Sequence, residues 1–329
     1  MKSKILLFLF TCISLTFVAS DCSNTNIGST NPPQANDIGV IMSSEDGGET
    51  WHTRNVSLGA EVTLICSFPL DMDTFCIALD RASTDVIMKT TNSGSSFYEV
   101  YTTTKLITDL EGTVNDGIAF ATLNNGIVLR TTDYGSSWNE IYSDTTRFMR
   151  DIEFAGEMNG MILCGSGTLV TTDGGVNWSP RPAISGSAEF LDIAFVSSFP
   201  GTELVACERL NKIFRTVDLG KSWTEINNPF KENYKAVDFV DPVGILAGSQ
   251  ILRSTNRGLN WYQVPSPGHG LVIKVFAEGT YYWVITVVDI LRSTDQGQNW
   301  ANIDPKSNVS YRDGLFSKNR AIVVGGRIR

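Results

Sequence analysis

Three observations in this 329-residue chain predict an all-β fold built as a closed ring of similar units. A short pattern, Ser/Thr-x-Asp-x-Gly-x-x-Trp, recurs seven times. Apolar, Gly-punctuated runs of strand length fill the intervals between copies. No stretch carries a helical period of useful length. Four short strands every ~40 residues are the signature of a propeller blade. The expectation is a seven-bladed β-propeller with four-stranded blades.

The pattern opens at Ser44, Thr90, Thr131, Thr171, Thr216, Ser254 and Ser293, at intervals of 46, 41, 40, 45, 38 and 39 residues. Six of the seven Trp residues lie in these boxes, which no chance repeat would give. The acid position holds Asp46, Asn92, Asp133, Asp173, Asp218, Asn256 and Asp295, and the second copy ends on Phe97 in place of Trp. Each residue has a mechanical role in a tight turn. Asp or Asn can accept bonds from nearby backbone N–H groups, and Ser or Thr can cap the turn. Gly permits a positive φ, and Trp buries a large apolar surface as the next strand starts. The boxes therefore read as structure, not as a site.

An inner-strand apolar position recurs between boxes at Phe68, Leu110, Phe154, Phe195, Phe239, Phe276 and Phe316. A Gly-rich apolar run follows, such as Gly244-Ile245-Leu246-Ala247-Gly248, then a lead-in strand such as Ile251-Leu252-Arg253. A basic residue precedes most boxes, at Lys89, Arg130, Arg215, Arg253 and Arg292. That regular placement suits blade-to-blade packing or stacking on the box Trp.

The ends of the chain set the blade count. Residues 38–43 read as a third strand leading into the first box, and residues 321–329 as a second strand opening a third. Neither end completes a blade, so N- and C-terminal strands are expected to share one. Residues 38–329 then form seven blades of about 42 residues, and closure removes exposed sheet edges.

Residues 1–20 carry Lys2 and Lys4, an apolar run from Ile5 to Val18, and small residues to Ser20. This reads as a secretory signal peptide, which implies export to the periplasm, cell envelope or extracellular space. Residues 21–37 form a polar tail. Cys22 in that tail is a candidate for lipidation, the one route to a membrane; Asp21 before it favours a plain secreted N-terminus. Cys66 and Cys76 fall on neighbouring strands and are a candidate disulfide. Burial as small apolar side chains is the alternative for these and for Cys164 and Cys207.

Composition narrows the function. The formal charge is −9, which argues against nucleic acid as a partner. Only His52 and His269 are present, so no His-rich metal site can form, and no motif calls for a cofactor. No Gly-x-Ser-x-Gly elbow and no phosphate-binding Gly loop opening a helix is found. Function is expected on varied loops opposite the boxes. Those loops carry Arg147, Arg150, Arg181, Lys235 and Arg312, with Tyr234 and Tyr311 as aromatic companions. Such a mixed patch suits a protein or glycan interface. Acids gather where inner strands begin: Asp109, Asp151, Glu153, Asp192, Asp238 and Asp313. If they face the channel they could hold a cation or a basic partner, or act as a pair in glycoside cleavage. Otherwise they bond backbone N–H groups at blade junctions.

The box resembles the Asp-box (BNR) repeat of sialidases, sortilin ectodomains, xyloglucanases and the photosystem II stability and assembly factor family. One box in every blade, the Gly-rich second strands and the Ile290-Leu291-Arg292-Ser293-Thr294-Asp295 lead-in look like the last of these. That resemblance implies a monomeric, non-enzymatic propeller that binds a protein partner. The Arg-Ile-Pro segment typical of sialidases is missing, and one propeller cannot form the two-domain cleft of a xyloglucanase. A glycan-binding or sialidase-like propeller remains the alternative, since fold alone assigns no chemistry.

Overall fold

A computed structural model describes residues 39–327 apart from 57, 59, 61, 69–70, 82, 114–116, 166, 184–189, 198–199, 209–210, 231, 269 and 306–307. The signal peptide, the polar tail, Cys22 and His269 lie outside the described residues. Twenty-eight strands, and no helix among the described residues, form seven four-stranded antiparallel sheets.

Blade 1 comprises β3 (Val62–Phe68), β4 (Asp71–Arg81), β5 (Thr84–Thr90) and β6 (Tyr98–Thr103). Blade 2 comprises β7 (Ile107–Gly112), β8 (Ala119–Leu123), β9 (Ile127–Thr131) and β10 (Asn139–Ser143). Blade 3 follows with β11 (Met149–Ala155), β12 (Asn159–Cys164), β13 (Gly167–Thr171) and β14 (Ser179–Arg181). Blade 4 has β15 (Phe190–Phe195), β16 (Leu204–Glu208), β17 (Ile213–Thr216) and β18 (Thr224–Ile226). Blade 5 has β19 (Tyr234–Val240), β20 (Val243–Gly248), β21 (Ile251–Ser254) and β22 (Tyr262–Gln263). Blade 6 has β23 (Val272–Glu278), β24 (Tyr281–Thr286), β25 (Ile290–Ser293) and β26 (Ala301–Asn302). Blade 7 is shared. Its inner strands β27 (Val309–Phe316) and β28 (Ala321–Arg327) come from the C-terminal end, its outer strands β1 (Gly39–Ser44) and β2 (His52–Val56) from the N-terminal end. β1 pairs with β28 from Gly39↔Gly326 to Ser44↔Ala321, which closes the ring.

The second strands are buried throughout, as the Gly-punctuated apolar runs require. Apolar clusters form between neighbouring blades. One joins Phe120 and Val128 of blade 2 to Ile152, Ile162 and Trp178 of blade 3.

All seven boxes share one hydrogen-bond scheme. In the fourth, Thr171 Oγ1 donates to Asp173 Oδ1 at 2.8 Å and accepts from the Gly175 N–H at 2.9 Å. The Asn177 N–H donates to Asp173 Oδ1 at 2.9 Å. The degenerate second box keeps the scheme with Asn92, which accepts from Thr90 and from the Ser96 N–H, both at 2.9 Å. Gly175 is required twice over. Its φ is +77°, and an added Cβ would stand 2.3 Å from the Phe120 ring of the preceding blade.

The basic residue before four of the boxes ties one blade to the next. Arg253 Nε donates to the Gln296 carbonyl at 2.6 Å, Arg215 Nε to the Arg257 carbonyl at 3.0 Å, and Arg292 Nη1 to the Gly47 carbonyl at 2.6 Å. Lys89 Nζ donates to Ser136 Oγ at 2.8 Å. Each acceptor lies in the following box, so this stripe is a junction device.

Candidate functional site

The topology gives the ring two faces. Box turns lie beside the turns between first and second strands: the Gly174 N–H donates to the Met158 carbonyl and the Gln296 N–H to the Thr280 carbonyl, both at 2.9 Å. At the other end, turns between second and third strands meet the loops that enter the next blade, as where the Asp144 N–H donates to the Gly126 carbonyl at 3.0 Å. Inner strands begin on this second face, around the channel mouth.

A cavity of about 100 Å³ opens there. Arg150, Lys235 and Arg312 line it with Phe148 and Leu271, and Asp109, Asp151, Asp192, Lys274 and Asp313 line it from the inner strands. The register explains the convergence. Asp109, Asp151, Lys274 and Asp313 each follow the bulge that opens their inner strand, and Asp192 does the same in β15. Leu64 and Ala236 take the corresponding places in blades 1 and 5. Two residues on, the same face carries Glu111, Glu153 and Asp238, with Cys66 in blade 1. Seven carboxyls thus gather around one lysine.

The upper acids are also staples. Asp109 Oδ2 accepts from the Ile152 N–H at 3.0 Å, Asp151 Oδ2 from Ile193 at 3.1 Å, and Asp192 Oδ2 from Val237 at 2.7 Å. Asp313 Oδ2 accepts from Ile65 at 3.0 Å across the closing junction. Every bond runs from one blade's carboxyl to the next blade's inner strand. Blade 1 has no acid on its inner strand, and Asp85 of its third strand accepts from the Ile107 N–H at 2.7 Å instead. Lining the channel and bonding the junction, weighed above as alternatives, are one arrangement.

Burial pushes Glu111, Asp151, Glu153, Asp192, Asp238 and Asp313 up, because the charged form loses water that few cations replace. Asp192 rises to about 6, Asp238 to about 7 and Glu111 to about 8. Asp151, Glu153 and Asp313 are also raised, burial being the main cause in each. Asp151 and Asp192 act on each other: the nearby Asp192 carboxylate adds to the rise of Asp151. Lys274 lies 3.9 Å from Asp313 Oδ1. Burial alone would lower its ammonium, but Asp313 and the other carboxylates outweigh that and hold it firmly charged.

The other loop residues divide. Arg147 pairs with Asp144 at 2.9 Å, away from the cavity lining, and Arg181 donates to the Pro180 carbonyl at 3.4 Å. Tyr234 and Tyr311 are fully buried. Tyr234 donates to the Phe230 carbonyl at 3.3 Å and Tyr311 to Asp304, so both are core residues whose hydroxyls tie down neighbouring loops. Strand alternation hides them: each points inward just before a half-buried basic residue, Lys235 or Arg312. Cys66 and Cys76 are direct cross-strand partners, and both are free, buried thiols, so the bridge between them is not formed here. Cys164 and Cys207 are buried thiols too. Among the described residues no group of three or more His, Cys, Asp or Glu is placed to hold a metal ion. Glu111 belongs to the site without having been singled out in the sequence. The Asp109-x-Glu111 spacing, which repeats Asp151-x-Glu153, was the available signal for Glu111.

A family model described as photosynthesis system II assembly factor YCF48 matches residues 136–231. No curated protein sequence matches the chain. Among solved structures, a YCF48 bound to a D1 peptide is 17% identical, with 90% of this chain and 94% of that one covered, at a TM-score of 0.64. YCF48 from Cyanidioschyzon merolae is 15% identical over 80% of this chain and 92% of its own, at 0.61. The GH74 xyloglucanase from Xanthomonas campestris is 13% identical over 75% of this chain but only 48% of the enzyme, at 0.59. The chain is a seven-bladed propeller of BNR/Asp-box repeats, similar to the photosystem II assembly factor YCF48 and, more distantly, to xyloglucanase propellers.

Proposed function

We propose that this chain is an exported, non-enzymatic interaction propeller that holds a polypeptide segment of a partner on its loop face. The observation that carries this reading is the channel mouth, where Arg150, Lys235 and Arg312 stand beside Phe148 and Leu271 on one cavity. Charged groups that steer and apolar groups that bury area are what a peptide needs. Similarity to a YCF48 bound to a D1 peptide supports a polypeptide ligand. The leader at residues 1–20 supports export, and the protein acts as a monomer in the periplasm, envelope or extracellular space. No helix among the described residues is long and apolar enough to cross a membrane.

A cross-linked pull-down from native envelope extract tests the reading, using mature protein and an Arg150→Ala/Lys235→Ala/Arg312→Ala variant. A partner captured by the first and lost by the second is the expected result. Retention on glycan beads with no protein captured would move the weight to carbohydrate binding, and the acid pairs would then be assayed for hydrolysis.

A further inference from the structure

The cavity is layered by charge, and the layering specifies a ligand. Basic residues stand at its mouth: Arg150 on β11, Lys235 on β19 and Arg312 on β27. Carboxyls lie beneath them, first Asp109, Asp151, Asp192 and Asp313, then Glu111, Glu153 and Asp238. An apolar collar of Leu64, Leu191 and Val272 completes the lining. One ammonium already sits in this ring, that of Lys274, beside Asp313. Blade 6 places it where blades 2, 3, 4 and 7 place an aspartate. The channel therefore accepts a primary ammonium in this structure, with one such cation against seven carboxyls. A compact metal ion does not fit this set, because among the described residues no three ligands converge. Acids spread over two levels beside an apolar collar suit a cation carried on a hydrocarbon stem.

We propose that the channel receives the basic head group of a partner's side chain, a lysine ammonium or an arginine guanidinium, on a segment whose flanking residues are acidic. The head group pairs with Asp151, Asp192 and Glu153, its stem lies against the apolar collar, and the flanking acids meet Arg150, Lys235 and Arg312. The entering cation takes the place of protons, which leave to solvent. Affinity therefore rises with pH while the channel acids of β7, β11, β15, β19 and β27 ionise around Lys274 of β23. The proposal rests on the peptide-binding reading above and names the chemistry of the bound segment.

The probe is a blocked pentapeptide, acetyl-Glu-Asp-Lys-Asp-Glu-amide, beside its norleucine counterpart, titrated calorimetrically at pH 6 and pH 8. The lysine peptide is expected to bind about tenfold tighter, with the preference larger at pH 8 and with proton release. Asp192→Asn/Glu153→Gln should abolish the preference, whereas the triple alanine variant at the mouth should weaken both peptides alike. Lys274→Gln gives an independent check, since removing the resident ammonium should strengthen the lysine peptide. Equal binding of the two peptides, dependent on the mouth residues, would overturn this inference and leave the peptide reading standing. If neither peptide binds and a random peptide library yields no binder, both fall.

Discussion

Asp173 and Asp192 lie in neighbouring blades, and the fold treats their charges in opposite ways. Asp173 sits in an exposed turn, where the Asn177 backbone N–H and then the Asn177 side chain hold its carboxyl down at about 2. Asp192 faces the channel, where burial pushes it up to about 6 although it too accepts a backbone bond. The box turns lie in water and use ionised carboxylates to organise a loop. The channel leaves its carboxyls less water and gathers more of them than it can balance. One residue type therefore stabilises the rim as an anion and the centre as a partly protonated acid.

The comparison can be broken most forcefully at the backbone of a box. Gly175→Ala adds a Cβ at positive φ and drives it into Phe120, so unfolding in denaturant should lose about 3–5 kcal/mol. Gly279→Ala is the control: its φ is +61° with nothing within 4 Å, so only about 1 kcal/mol should be lost. Equal losses would mean that the box glycine matters for φ alone.

Titration separates the two regions by sign. Channel acids with raised values bind protons more tightly folded than unfolded. Their contribution is full below about pH 4 and is lost as pH rises through about 6, 7 and 8 for Asp192, Asp238 and Glu111. Box carboxylates are depressed, so theirs is full above about pH 4 and is lost as pH falls toward about 2 for Asp173, Asp218 and Asp295. Thermal melts should peak near pH 4–5 and decline by pH 8, with a difference on the order of a few kcal/mol. A plateau from pH 5 to 9 would contradict the raised channel acids.

Single substitutions sharpen the contrast. Asp173→Ala removes the acceptor for two backbone N–H groups and should cost about 1–2 kcal/mol at pH 7. Asp192→Asn keeps an oxygen for the Val237 N–H and removes a buried charge. It should stabilise the protein at pH 8 on the order of 1 kcal/mol, a gain that vanishes at pH 4. Melting curves of both variants at the two pH values would show the opposite signs directly.

The sequence made the boxes legible because each is local. Every bond in the fourth box joins residues no more than four apart, so Thr171, Asp173, Gly175 and Asn177 announce the turn by spacing alone. The shared blade was legible for a related reason: each end of the chain carried half of a countable unit. The clamp at Arg253 was visible as a repeated basic position, but its acceptor, the Gln296 carbonyl, lies 43 residues away. Tyr234 and Tyr311 were placed on the loop face because an aromatic beside a basic residue looks like an interface. Strand alternation instead points each inward, a question of register that one sequence leaves open.

What the sequence determined alone was the repeat, the blade count, the turn chemistry and the position of ring closure, all set by contacts within one repeat or by the halves left at its ends. What only the tertiary structure decided was the channel. Asp109, Asp151, Asp192, Asp238 and Asp313 are far apart along the chain, and nothing local distinguishes a strand-end aspartate facing water from one facing six other acids. Closing the ring brings their strands edge to edge and removes the water between them. The loss of that water, not the residue type, raises Asp151, Asp192, Asp238 and Asp313, makes Lys274 the resident cation, and turns scattered strand ends into a site.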